Sequence, residues 1–177
     1  MSEKTVRGLM FLIAAFTPII VYLGLGPDGF GVLDAARTEQ VFAYLYFSLP
    51  IAFMMTRKIE SNFFLDAGLL IIVASMSSSI IADALRANFS EMADAIAITA
   101  YSSSILGGAI CGIGIYKTEL FTKWLSVIFT AVASIAFILM ATGSPADLEN
   151  SSFLIPVFMS FHLLLAALGI NVILRNK

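Results

Sequence analysis

Charge is the scarcest property of this chain: 12% of its 177 residues are Asp, Glu, Lys or Arg, against 59% hydrophobic residues and a mean hydropathy of +0.95. A soluble globule of that length needs a polar coat that this composition cannot supply, so the expected solvent is lipid. A basic excess is also missing. The net charge is −2 and the isoelectric point about 5.3, so nothing draws nucleic acid, and no polybasic run marks a tether to anionic lipid. Cysteine is represented only by Cys111, inside an apolar stretch, which excludes an intrachain disulfide and a multi-thiolate metal site. One histidine, one cysteine and no carboxylate deep in an apolar stretch cannot assemble three ligands for a catalytic metal or a histidine pair for haem. No cofactor and no metal is expected.

What the chain does have is six apolar stretches, at 8 to 26, 40 to 56, 65 to 83, 95 to 116, 124 to 142 and 153 to 174. A hydrocarbon core about 30 Å thick is crossed by roughly 20 helical residues. The expected fold is therefore all-α and integral to a membrane, one domain over residues 1–177 built as a compact bundle of six transmembrane helices. The breaks carry most of the charge. If six helices alternate in direction, Lys4, Arg7, Arg57, Lys58, Lys117, Lys123, Arg175 and Lys177 share one side and only Arg37 and Arg86 lie on the other. Basic loops stay in the cytoplasm, so both termini are expected there, and the loop from Gly143 to Ser152, with Asp147 and Glu149, outside. The run behind Lys4 and Arg7 is longer than a signal peptide needs and no A-x-A-like site follows it, which predicts a retained first helix. Short loops and no outer domain fit a bacterial inner membrane.

In lipid, helices associate by close backbone approach, so small residues four apart mark contact faces. Ala100, Ser104, Gly108 and Gly112 form one such stripe, with Ser103, Gly107 and Cys111 beside it. The fourth helix is predicted to be central to the bundle or to form an oligomer face. Pro18, Pro50 and Pro156 each remove a backbone donor and kink their helices; Thr17 is placed to serve a carbonyl freed by Pro18.

Polar residues inside the spans are the functional candidates. Ser75, Ser79 and Asp83 recur every four residues and reach about 12 Å below the outer surface at the rise of an α-helix. Tyr101, Ser102 and Ser104 reach a similar depth on the next helix, and His162, the single histidine, sits about 15 Å down, near the midplane. Together these seven residues outline an outward-opening polar vestibule, and hydroxyls suit a small neutral or weakly charged solute. The leading expectation is thus a transporter or channel. The alternative is an accessory or assembly subunit that docks on another membrane protein, or on copies of itself, through its small-residue faces. Asp83, Arg86, Glu91 and Asp94 are expected to form an ion-pair network or an acidic rim at the outer mouth.

A third class is a hydrolase within the membrane. Six helices with Ser on the fourth and His on the sixth resemble the rhomboid proteases, which would imply a Ser/His pair acting in the bilayer. The motifs depart from that family. Its GxSG is replaced here by Tyr101, Ser102, Ser103, Ser104 and Ile105, and the second span offers neither the expected histidine nor asparagine.

Overall fold

The computed structural model of the chain describes residues 1–26, 30–86, 90–143 and 151–175, and among these there are helices and connecting turns but no strand. Helix α1, Glu3–Pro18, begins where the Ser2 hydroxyl accepts the Thr5 N–H at 3.1 Å, satisfying one of the amides that a helix start leaves open. Beyond Pro18 the coil widens to a π-helical segment, Ile19–Leu25, closed by the Gly26 N–H on the Val21 carbonyl at 2.6 Å. Thr17 donates to the Ile13 carbonyl at 2.7 Å, one residue before the Ala14 carbonyl that Pro18 leaves without its helical donor, so it does not take the expected role.

The expected second span, 40 to 56, is two helices rather than one: α2, Ala35–Tyr46, capped by Asp34, and α3, Ser48–Ile59. Pro50 has no N–H for the Tyr46 carbonyl, and its ring crowds that turn, so regular bonding lapses at Phe47. Phe47 keeps right-handed helical angles, and the chain continues in the same sense. Four long helices follow: α4, Phe63–Arg86; α5, Ser90–Tyr116; α6, Lys123–Thr142; and α7, Ser151–Leu174. Gly143, in an extended conformation, ends α6. The helix start expected at Ser144 and Pro145 lies outside the described residues, as do Pro27, Asp28 and Gly29 of the turn after α1.

Among the described residues five segments are long and apolar enough to cross a membrane: Glu3–Leu25, Phe63–Leu85, Glu91–Tyr116, Lys123–Thr142 and Pro156–Leu174. The chain therefore has the make-up of a multi-pass membrane protein. Its helices form a ring in chain order. The α2–α3 rod packs between α1 and α4, α4 meets α5, α5 meets α6, α6 meets α7, and α7 returns to α1.

One end of the ring collects the basic residues. Lys58 pairs with Glu3 at 2.9 Å, Arg57 with Asp66, and Lys4 donates to the Arg175 carbonyl. The Glu119 N–H reaches the Glu60 carboxylate at 3.1 Å, and Asn171 clamps Thr122 through both its amide atoms, at 2.8 and 3.1 Å.

Glycine sets how closely the helices approach in this basic half. A Cβ at Gly68 of α4 would lie 2.6 Å from the Gly107 carbonyl oxygen of α5, and one at Gly169 of α7 would lie 2.7 Å from the Gly8 carbonyl oxygen of α1. Only hydrogen fits, so backbones touch directly. The two stripes expected on α5 divide this work. Gly107 and Cys111 face α4, while Gly112 meets Thr130 of α6 and Gly108 lies under the rings of Phe161 and Phe129. With 56% of its most apolar window buried, against 28% for α6, α5 is the most buried of these apolar helices, although it holds a place in the ring between α4 and α6 rather than a position at its centre.

Inside the ring, the basic half is filled with aromatic carbon. Phe11 meets Phe53 edge-on at 5.1 Å and Phe121 at 6.0 Å, Phe53 meets Phe129 at 6.4 Å, and Phe129 meets Phe161 at 5.5 Å. Such contacts add to burial itself.

Candidate functional site

The filling changes character in the other half. Phe42 stacks on Tyr46 at 5.2 Å, Tyr46 lies 5.7 Å from the His162 imidazole, His162 stacks on Phe158 at 5.5 Å, Phe158 meets Tyr101 at 6.2 Å, and Tyr101 returns to Phe42 at 6.4 Å. Five rings from α2, α5 and α7 thus close a circuit. His162 is 3% exposed and joins this circuit to the phenylalanine core through Phe161, at 5.6 Å.

Polar groups surround the circuit. The Tyr22 hydroxyl, on the π-helical segment, donates to Glu39 of α2 at 3.0 Å, and Tyr22 lies within electrostatic reach of Tyr101 and Asp83. Asp83, at the far end of α4, is 2% exposed. His162 Nδ1 donates to the Phe158 carbonyl at 2.7 Å; a carbonyl oxygen only accepts, so that nitrogen carries the proton. Nε2 is then an acceptor. It is buried without a hydrogen-bond partner, and so is the Ser104 hydroxyl. Buried polar atoms are almost always bonded, and leaving one unbonded costs roughly 1–3 kcal/mol.

Of the seven residues expected to line a vestibule, Tyr101 and His162 belong to this circuit, Asp83 is buried within electrostatic reach of Tyr22, and Ser104 is buried on the same helix as Tyr101. The remaining serines turn back on their own helices. Ser75 donates to the Ile71 carbonyl at 2.7 Å, Ser79 to Ser75 at 3.2 Å and Ser102 to Thr99 at 3.2 Å, which satisfies each hydroxyl locally. Ser75 also borders a groove of about 540 Å³ between α4 and α5, with Ala74, Ser78, Ala95, Thr99 and Ser103 among its walls. The side chain of Arg86 is outside the described residues, and with it the ion-pair network expected there.

Sequence reasoning missed Tyr22, Glu39, Phe42, Tyr46 and Phe158. A signal existed: Glu39, Phe42 and Tyr46 follow the i, i+3, i+7 spacing of one helix face. Neither Ser102 nor Ser104 is hydrogen-bonded to His162, so the arrangement of a Ser/His nucleophile is not formed. Among the described residues no three His, Cys, Asp or Glu side chains could share a metal ion.

The fold and this site define an all-helical, predominantly apolar bundle with a buried polar and aromatic centre. No family model matches the chain, and comparison with curated proteins and with solved structures finds no significant similarity.

Proposed function

We propose that this chain is a six-span carrier or channel for a small solute in a cell membrane, with both termini cytoplasmic and a polar chamber that opens outward. The α2–α3 rod counts as the sixth span in this reading. It runs from the Tyr22–Glu39 contact to the Glu3–Lys58 pair at the opposite end, and the basic end is the cytoplasmic one by the distribution of Lys and Arg. A bacterial inner membrane fits the short connections.

The observation that carries the reading is the pair of buried, unpartnered atoms, His162 Nε2 and Ser104 Oγ. One accepts and the other both donates and accepts, so a solute bearing a hydroxyl or amide could bond to either without burying charge. The chamber is occluded in this conformation, and solute entry requires the end away from the basic residues to part.

The test uses Ser104→Cys in a Cys111→Ala background, treated in sealed cells with a membrane-impermeant thiosulfonate. Labelling from outside is expected. Absence of labelling sinks the chamber, and labelling only in inverted vesicles overturns its outward opening.

A second reading, an accessory subunit, is favoured by the groove between α4 and α5, whose small side chains suit the close approach of a foreign helix. Native mass spectrometry separates the two: a stoichiometric second polypeptide supports the subunit, a lone chain or homo-oligomer the carrier.

A further inference from the structure

At the end opposite the chamber, Arg7 is 4% exposed, yet its Nε and Nη1 have no hydrogen-bond partner, and Arg175 Nη1 is buried in the same condition. A guanidinium presents five donors and stays charged, so burial without an acceptor is among the least favourable placements a side chain can take. Something with acceptor oxygens belongs against it.

Its position narrows the choice. Arg7, Phe11 and Ala14 lie on one face of α1 at i, i+4 and i+7, and Phe11 is fully buried against Phe53 and Phe121. Arg7 therefore sits one turn beyond the aromatic core, at the basic mouth of the ring. The backbone of Arg175 is brought alongside by the Lys4 bond to its carbonyl and by Gly8 packed on Ile173.

Among the described residues the acids at this end are engaged elsewhere, Glu3 with Lys58, Asp66 with Arg57, Glu60 with the Glu119 amide and Glu119 with Lys123, and none of these pairs with Arg7. Lys4, Arg7 and Arg175 thus form a positive cluster in which Arg7 Nε and Nη1 and Arg175 Nη1 are buried and unused.

We infer that Arg7, with Lys4 and Arg175, binds a phosphate-bearing anion at the basic mouth of the bundle. The planar fork of arginine matches two phosphate oxygens at once, and the anion supplies acceptors for the buried Arg7 Nε and Nη1 that the described residues leave unbonded. This site lies apart from the solute chamber and does not depend on it. The same chemistry could come from inorganic phosphate or from a phospholipid headgroup of the adjacent leaflet.

The experiment measures thermal unfolding of the full-length protein in neutral detergent, because a ligand of the native state raises the melting temperature by mass action. Inorganic phosphate is titrated against sodium chloride at matched ionic strength, and dioctanoyl phosphatidylglycerol against dioctanoylglycerol. A rise with phosphate identifies a free-anion site, and a rise with phosphatidylglycerol alone identifies a headgroup site. Arg7→Gln should weaken the effective ligand by about tenfold to a hundredfold, the range expected for losing a charge-assisted hydrogen bond. If Arg7→Gln does not fold, Arg7→Lys, which keeps charge but loses the fork, carries the same direction of change. No rise with either ligand over its control, or unchanged affinity in the folded variant, overturns the assignment.

Discussion

Replacing Gly68 by alanine puts a methyl group where α4 and α5 touch. The new Cβ would lie 2.6 Å from both the Gly107 carbonyl oxygen and Cys111 Sγ, and 2.7 Å from the Cys111 nitrogen. Carbon and oxygen rest at about 3.3 Å or more, so the helices must separate by roughly 0.7 Å, and the atoms in the way belong mainly to backbone. A gap of that size forfeits about a quarter to a half of each dispersion contact it opens. Taking the local seam as comparable to one buried side chain, with about 50 contacts near 0.15 kcal/mol each, the loss is about 3 kcal/mol. Alanine returns about 1 kcal/mol of helix propensity over glycine. The net destabilisation is about 2 kcal/mol, which for a chain of this size lowers the melting temperature by about 4–8 °C.

The protein contains its own reporter. Cys111 is the sole thiol, is buried, and lies in that same seam, so a dye that fluoresces on reacting with thiols reads unfolding directly. Gly24→Ala is the control. Nothing lies within 4 Å of a Cβ there, so that change should leave the melting temperature unchanged or raise it slightly. A Gly68→Ala protein that melts with or above the wild type refutes direct backbone contact between α4 and α5.

Three further outcomes are expected. His162→Phe keeps a ring within the aromatic circuit and deletes an unpartnered nitrogen, so thermal stability should hold or rise by about 1 kcal/mol, while any solute retained through purification, read by mass spectrometry, is lost; a sharp fall in stability would make His162 structural. Asn171→Ala removes both bonds to Thr122 and leaves its part-buried backbone N–H without that acceptor, and a loss of about 1–3 kcal/mol is expected in the same thermal assay, with no change counting against the clamp. Pro50→Ala restores a donor for the Tyr46 carbonyl and straightens the α2–α3 rod, so Ser104→Cys should label more slowly in that background, and equal rates would show that the break at Phe47 takes no part in opening.

The apolar stretches were legible because charge and turn residues interrupt them so consistently, and five of them appear as long helices close to their expected limits. The stretch 40 to 56 was legible in extent but not in continuity. Hydropathy sums residues and is blind to the one missing donor of Pro50, even though the proline itself is visible. The packing role of α5 was legible because Gly107, Gly108 and Gly112 lie on one helix. The matching glycines were not. Gly8, Gly68 and Gly169 stand singly in their own helices and acquire meaning only when opposite backbones meet. For the same reason three serines were overcounted: a hydroxyl in a helix can satisfy itself on the preceding turn, and sequence does not say which of them does. Tyr22, Phe42, Tyr46 and Phe158 escaped because an aromatic residue in an apolar span reads as ordinary membrane helix until its neighbours are known.

The distribution of rigidity along the bundle bears on how a closed chamber would admit a solute. Contacts that forbid separation, the backbone approaches at Gly8, Gly68, Gly107, Gly112, Gly114 and Gly169, all fall in the basic half, where the phenylalanine core also sits. The irregular backbone falls in the other half. The π-helical segment carries Tyr22, the interruption at Phe47 adjoins Tyr46, and the groove bordered by Ser75 and Ser103 lies between α4 and α5. Helices bend where their hydrogen-bond ladder is broken, and a bundle clamped at one end moves most at the other. Opening should therefore pivot on the basic half and separate α1 and α2 from α5 and α7, breaking the contact of Tyr46 with His162 and of Phe42 with Tyr101 while leaving the glycine seams intact. This is the motion that would expose His162 Nε2 and Ser104 Oγ to the outside without disturbing the Arg7 site.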